Sequence, residues 1–505
     1  MSDNLFSIIQ KQLLSHPDKV VLIQPNGSSM TARELDQASQ ILGAVLKNYG
    51  VEPGDRVSAQ IDKSWMNVVL YLATLRVGGV YLPLNSAYTD VEIEYFLGDA
   101  TPKLHVCTTA REPAAVKLMN TLHCGQIASL EQESGSLWDA YQDAVAQNQT
   151  FEEVVLRTST DLASLLYTSG TTGRPKGAMI SHGNLSANAR MLAQAWNYSK
   201  EDVLLHALPL FHIHGLFVAL NLALVTGGAI LLLEKYDAKE VIKYLPQATV
   251  MMGVPTYYTR LLSEPSFDKD VAGHMRLFIS GSAPLLVETS DAFFERTGQR
   301  ILERYGMTET GMTCSNPLNG DRRAGSVGPA LPGVETRIIT DNGDEAGVDE
   351  IGILEVRGAN IFQGYWNLPD KTASEFKGDW FNTGDMATKS ADGYVSIVGR
   401  GKDLIITGGL NVYPKEIEDV VNTMESVVES AVVGVPHSDF GEGIVAVVVG
   451  SAPLDLDALK QQCRKQIASF KVPKHWVQVE ALPRNTMGKV QKNLLRDEYR
   501  SVFEG

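Results

Sequence analysis

Residues 56–84 open on the apolar run Arg56-Val57-Ser58-Ala59-Gln60-Ile61 and continue through a helical pattern from about Trp65 to Arg76. Behind Gly78-Gly79 they close on a second apolar run, Val80-Tyr81-Leu82-Pro83-Leu84. Strand, helix and strand in that order predict a mostly parallel α/β sheet, because parallel neighbours need a crossover connection and a helix supplies it. Just upstream, Thr31-Ala32-Arg33-Glu34 has the form of a capping box, in which hydroxyl and carboxylate each satisfy a backbone N–H at a helix start. Leu35, Ala38, Leu42, Val45 and Leu46 then recur on one helical face as far as Gly50. Downstream the strand signal returns at Val203–Leu208, Ala229–Leu233, Thr249–Met252 and Leu277–Ser280, with helical segments between. The fold class is therefore α/β, with one large N-terminal body.

The texture changes between Asp385 and Asp403 into short, Gly-punctuated pieces such as Gly393–Gly399, which read as hairpins of a β-rich subdomain. Beyond Lys402 a smaller unit begins. Pro414 opens a helix with Ile417, Val420, Val421 and Met424 on one face, and Ser430–Val435 and Ile444–Val449 are apolar runs of strand length. A stretch of about 100 residues suffices for a small α+β domain. We therefore divide the chain into residues 1–401 and 402–505.

With 505 residues and 44% hydrophobic content the chain can bury a large core. Its net charge of −15 argues against nucleic acid or an anionic membrane as partner, since both favour a basic face. The most apolar region, Val203–Leu233, is interrupted by His206, His212, His214 and glycines, so it falls short of the ~20 uninterrupted residues needed to span a bilayer. Met1-Ser2-Asp3-Asn4-Leu5 lacks the pattern of a secretory or transit leader. Cys107, Cys124, Cys314 and Cys463 show no metal-ligand spacing and read as reduced thiols, so the expected location is cytoplasmic.

Tyr167-Thr168-Ser169-Gly170-Thr171-Thr172-Gly173-Arg174-Pro175-Lys176-Gly177 packs five hydroxyls, three glycines and two cations into eleven residues between an apolar run and a helical segment starting near Ser181. Glycines let backbone N–H groups turn toward an anion, hydroxyls add donors, and Arg or Lys neutralises charge. That is the composition of a polyphosphate cradle, but not of a Walker A loop.

The same eleven residues resemble the signature of the adenylate-forming superfamily of acyl- and aryl-CoA synthetases, peptide-synthetase adenylation domains and luciferases. Five further family motifs stand in the family's order: Gly281-Ser282-Ala283-Pro284-Leu285, Tyr305-Gly306-Met307-Thr308-Glu309, Thr383-Gly384-Asp385, Gly399-Arg400-Gly401-Lys402-Asp403 and Pro483–Lys489. The resemblance implies an ATP-dependent ligase that adenylates a carboxylic acid and passes the acyl group to CoA, with a small C-terminal domain that is mobile. It implies that Thr168, Ser169, Gly170, Thr171, Thr172, Gly173 and Lys176 hold phosphate. Gly281, Ser282 and Ala283 would border the adenine and acyl pockets, Tyr305 would stack on adenine beside Gly306 and Met307, and Thr308 would touch phosphate. Glu309, with Thr168, would hold Mg²⁺. Asp385 would accept the ribose hydroxyls with Arg400 assisting, and Lys489 would stabilise the adenylation transition state. Lys402 matches the hinge, and Gly408 and Gly409 match the loop lining the pantetheine tunnel. By the same resemblance a lysine acetyltransferase acting on Lys489 is a candidate partner.

For the acid, Pro209–Gly215 matches the pocket segment in which His212 flanks the carboxylate, and His214 adds a second polar ring. Thr256 and Arg260 lie one helical turn apart, so an arginine fork is available to clamp a second carboxylate. The stretches His206–Leu216, Met275–Leu285 and Asn485–Lys492 resemble those of bacterial malonyl-CoA synthetases. Malonate, with His212, His214, Arg260, Arg276 and Ser282 around it and Arg260 ranked ahead of Arg276, is the expected acid. Methylmalonate, another short-chain or aryl acid, or a stand-alone adenylation domain remain the alternatives.

Overall fold

The structure is a computed structural model and describes residues 3–168, 175–407, 410–437, 440–467, 469–485 and 488–503. Among these residues four sheets carry the fold. The stretch 56–84 forms a parallel βαβ unit in which Arg56–Gln60 pairs with Val80–Pro83 across the helix Trp65–Arg76. That helix is buried almost all round, which explains why its sequence is apolar on every face. Its one long cation, Arg76, is 0% exposed and forms an ion pair with Asp36 of the neighbouring helix Ala32–Asn48. There the capping box forms, with the Thr31 N–H donating to Glu34 at 2.7 Å and the Glu34 N–H to the Thr31 hydroxyl at 3.2 Å.

This unit belongs to a six-stranded sheet in the order Gln126–Ser129, Leu104–Cys107, Arg56–Gln60, Val80–Pro83, Leu162–Thr168, Lys176–Ser181. The pairings are parallel except the last, where Leu162–Thr168 runs antiparallel to Lys176–Ser181. An eight-stranded sheet lies alongside it, with a central parallel run made of Leu302–Met307, Leu277–Ser280, Val250–Gly253, Val203–His206 and Ala229–Leu232. The Gly-punctuated region is an antiparallel five-stranded sheet, with Trp380–Lys389 and Val395–Arg400 joined by a turn at Gly393.

From Arg400 the chain passes through the short turn Gly401–Asp403 into Ile405–Thr407, the first strand of a separate five-stranded sheet. Its central strands, Val427–His437 and Gly441–Gly450, alternate their side chains between two cores. Val432, Ile444, Ala446 and Val448 face the helices Pro414–Asn422 and Leu456–Gln466, while Val433, Val435, Val445 and Val447 face Leu482 and Leu495. Two cores on one sheet give the C-terminal unit its own stabilisation. Among the described residues no helix is long and apolar enough to cross a membrane.

Candidate active site

Four neighbouring parallel strands of the eight-stranded sheet end at one edge, the side on which open α/β sheets bind ligands. Val203–His206 leads into residues 207–215, Val250–Gly253 into the helix Pro255–Leu262, Leu277–Ser280 into Gly281-Ser282-Ala283, and Leu302–Met307 into Thr308 and Glu309. The sheet thus gathers segments far apart in sequence.

After His212 the chain winds into a π-helical turn, His214–Leu220, where the sequence reading placed the acid. The His214 N–H donates to His212 Nδ1 at 3.3 Å, and His214 Nδ1 lies 3.2 Å from Ser282 Oγ. Ser282 adopts φ +72°, a left-handed conformation that costs a non-glycine residue energy and recurs at functional sites. Strand register adds a group that the sequence reading passed over. Ser280 pairs with Glu303, which brings Arg304 level with Gly281. A Cβ on Gly281 would stand 2.3 Å from Arg304 Cζ, so the guanidinium lies against the glycine backbone. Arg304 is 3% exposed, and its Nε and Nη2 have no hydrogen-bond partner among the described residues.

Burial, reinforced by Lys489 and Arg304, lowers His212 to about 3. Burial with Arg304, His212 and His206 carries His214 well below the ordinary histidine range. Both rings are therefore neutral at pH 7. Burial also lowers Arg304, to about 9, which leaves it cationic at neutral pH. The acid side consequently presents two neutral imidazoles, a hydroxyl and one desolvated cation.

On the nucleotide side, Thr168 pairs with Lys176 and Tyr167 with Gly177 at the hairpin's arms, and Tyr167 donates to Asp99 at 2.5 Å. Ser169, Gly170, Thr171, Thr172 and Gly173 lie outside the described residues. Lys176 Nζ stands 4.2 Å above the Tyr365 ring, and the Tyr365 hydroxyl donates to Glu309 Oε1 at 2.9 Å. Glu309 is 5% exposed, and burial raises its pKa against the opposing charges of Lys176 and Arg400. Tyr305 donates to Asp385, which Arg400 Nε meets at 2.6 Å across the Trp380–Lys389 and Val395–Arg400 pair. Gly306 is required by close packing, since a Cβ there would stand 2.0 Å from the Gly311 carbonyl oxygen. Met307, Thr308 and Ala283 are half-buried around these groups.

The C-terminal unit delivers Lys489 to this site. Its loop is held by Arg484, which donates to the Gly488 carbonyl at 2.6 Å and pairs with Glu429. Gly488 turns at φ +76°, and a Cβ there would lie 3.8 Å from Thr256 Oγ1 of the body. Lys489 is exposed to solvent as a residue, while its ammonium reaches among neighbouring charged groups. Burial and Arg400 lower its pKa while Asp385 and Glu309 raise it, so its ammonium stands among the nucleotide-side charges. Gly408 and Gly409 lie outside the described residues.

The two arginines expected around the acid are placed differently. Arg276 precedes the strand Leu277–Ser280, about 16 Å along the chain from Gly281 at the rise of an extended strand. It meets both carboxylate oxygens of Asp202 at 2.9 Å and donates to the Trp196 carbonyl at 2.9 Å. All three of its nitrogens are engaged in holding the sheet's far end, away from the segments gathered around Gly281. Arg260 is exposed, and its charge acts on the stacked rings of Tyr236 and Tyr257, whose centroids are 3.8 Å apart.

Buried polar groups gathered at one strand edge, with a lysine brought to them by a separate small unit, fit an AMP-forming acid–thiol ligase. The chain belongs to the AMP-binding enzyme family: that family's model matches residues 9–366, and the AMP-binding enzyme C-terminal domain matches residues 416–489. It is an ATP-dependent acyl-CoA ligase that works through an acyl-adenylate, with ATP and CoA as substrates. Among solved structures it is similar to ATP-bound MatB from Rhodopseudomonas palustris, at 48% identity over 100% of both chains with a TM-score of 0.96. Against the apo form of that protein the TM-score is 0.85. It is 36% identical to the mitochondrial malonate–CoA ligase of Mus musculus, over 97% of this chain and 90% of the relative. It is also 32% identical to the long-chain-fatty-acid–CoA ligase of Bacillus subtilis, over 98% and 94%.

Proposed function

We propose that the acid is a small dicarboxylate, malonate first and methylmalonate next, so that the reaction gives malonyl-CoA, AMP and pyrophosphate. The observation that carries this reading is Arg304. A guanidinium with two unpartnered nitrogens, buried beside His214 and Ser282, calls for an anion with a second carboxylate, and an alkyl chain there would leave it unpaired at substantial cost. The malonate–CoA ligase and MatB likenesses support the same choice, while the long-chain ligases match at similar identity and do not discriminate. Arg260, exposed on the helix that Lys489's loop approaches, ranks second as a clamp.

In the same reading Lys489 faces the phosphates during adenylation, and Lys402 is the hinge about which the small domain, residues 402–505, turns to bring the Gly408-Gly409 loop to the pantetheine arm. Mg²⁺ would be held by Glu309 and Thr168. A hard cation held by one carboxylate and one hydroxyl would take its remaining oxygens from phosphate and water. When bound, the ion neutralises phosphate charge. Acetylation of Lys489 would remove the charge that adenylation uses, and its contact with solvent leaves it open to a lysine acetyltransferase.

The test is AMP release with and without CoA across acetate, malonate, methylmalonate, succinate and octanoate. Malonate is expected first and octanoate inactive. A preference for octanoate or acetate over malonate would overturn the dicarboxylate reading and leave the ligase class standing.

A further inference from the structure

Behind the acid pocket lies a second set of buried polar groups that neither half-reaction uses. Lys63 follows the strand Arg56–Gln60 and is 9% exposed. Its Nζ lies 2.8 Å from His206 Nδ1 and 2.8 Å from the His206 carbonyl oxygen. A carbonyl oxygen only accepts, and the Gly215 carbonyl faces Nε2, so the ring proton of His206 sits on Nε2 and Nδ1 accepts from Lys63. Nε2 in turn lies 2.9 Å from the Gly215 carbonyl oxygen and donates to it. The relay runs one way, from Lys63 through a single tautomer of His206 to one backbone carbonyl.

That carbonyl belongs to the π-helical turn His214–Leu220. π-turns are rare and cluster at functional sites, because something else in the structure must hold them. Gly215 is pinned from the other side as well, since a Cβ on it would stand 2.0 Å from the Pro209 carbonyl oxygen. The preceding residue, His214, reaches Ser282 through Nδ1, and its Nε2 has no partner among the described residues. Burial lowers Lys63 well below the ordinary lysine range, and burial together with Lys63 does the same to His206. Among the described residues no carboxylate pairs with Lys63. A lysine so placed costs stability, and a hydrophobic side chain of similar length would fold as well or better.

We propose that Lys63 is a positioning residue of the acid site, fixing through His206 and Gly215 the turn that aims His214 at Ser282 and the bound acid. The proposal rests on the acid lying between His212, His214, Ser282 and Arg304. It does not depend on which acid is bound.

The experiment is Lys63→Met in the full-length protein, with kinetics on whichever acid of the panel the unaltered protein uses best. A wrong choice of acid then shows in the unaltered protein alone, while the effect of Lys63 is read as a ratio. The KM for the acid is expected to rise about tenfold or more, as for a misplaced pocket group, while the KM values for ATP and CoA stay within about twofold and Tm holds or rises. His206→Gln, whose amide can accept from Lys63 and donate to Gly215, is expected to recover most of the acid KM that His206→Phe loses. An unchanged acid KM in Lys63→Met would overturn the proposal. Equal rises in acid and ATP KM with a lower Tm would also overturn it, because that pattern marks a purely structural lysine. If Lys63→Met does not accumulate, the His206 pair decides: Gln as poor as Phe rejects the relay.

Discussion

Replacing Arg304 with methionine tests the dicarboxylate reading most directly, because it removes a charge and keeps most of the volume. In the protein alone the guanidinium is 3% exposed with Nε and Nη2 unpartnered, so it already carries an uncompensated desolvation cost. Folding stability is therefore expected to hold or rise in Arg304→Met. With malonate bound, the second carboxylate would lose the buried Arg304 cation, and removing one member of a desolvated charge pair costs about 3–4 kcal/mol. The result is a ~10²- to 10³-fold fall in kcat/KM for malonate, with acetate or propionate gaining relative to it. The assay is AMP release in the presence of CoA, with thermal unfolding run on the same preparation. Gly281→Ala supplies a cross-check. Its Cβ would stand 2.3 Å from Arg304 Cζ and displace the guanidinium, so it is expected to lower malonate activity alone and to cost little more in the Arg304→Met background. Malonate kcat/KM within about threefold of the unaltered protein in Arg304→Met would refute the reasoning, as would strict additivity of the two changes.

Lys489→Ala is expected to slow acyl-adenylate formation by ~10²- to 10³-fold while CoA still reacts with supplied acyl-adenylate at its normal rate, which single-turnover measurements of each half-reaction would check. Arg276→Leu is expected to leave the order of acids unchanged and to destabilise the fold by roughly 3 kcal/mol, the low end for a broken pair since Arg276 is 32% exposed while Asp202 is 5% exposed; chemical denaturation and the acid panel together check it. Glu303 is raised by burial to about 7, so its folded-state pKa lies above the unfolded 4.5. Its contribution is fully present below pH 4.5 and is lost as pH rises through 7, by roughly 3 kcal/mol. Glu303→Gln is therefore expected to flatten that part of the stability–pH curve and to be the more stable protein at pH 8, read by denaturation at a series of pH values.

Much of the fold was legible because its signals are local. The Thr31 capping box, the apolar helix Trp65–Arg76 and Pro414 opening Pro414–Asn422 each declare themselves within one or two turns of chain. The expected strands Ser430–Val435 and Ile444–Val449 proved longer, Val427–His437 and Gly441–Gly450, since pairing extends strands past their apolar centres. The site was legible where a motif is contiguous, as at Tyr305–Glu309, and illegible where register makes the neighbour. Arg304 adjoins a recognised motif and sits in the apolar setting of Leu302 and Tyr305, a charge inside a buried strand, and that was the available signal. Arg276 carried the same kind of signal, but it enters the strand at the other end, where Asp202 satisfies it. Lys63 and His206 meet across 143 positions of sequence, and the π-turn that they hold leaves no periodic trace.

Relatives with different acids match this chain at nearly equal identity, 36% for a malonate–CoA ligase and 32% for a long-chain one, and the site geometry explains why identity is a poor guide. The shared motifs handle ATP, whose chemistry is the same whatever the acid. On the dicarboxylate reading, discrimination falls to the few groups brought together where the strands Leu277–Ser280 and Leu302–Met307 lie side by side. In that reading a single arginine acts twice. It attracts a second carboxylate, which must shed its own hydration and regains it as a bidentate pair, and it rejects an alkyl chain, which would leave the guanidinium desolvated and alone. His212 and His214 are neutral, so their rings can orient an acid by hydrogen bonding without adding charge. On this reading, changing the acid requires changing the charge at residue 304, and that substitution alone should give a poor malonate ligase before it gives a good ligase for another acid.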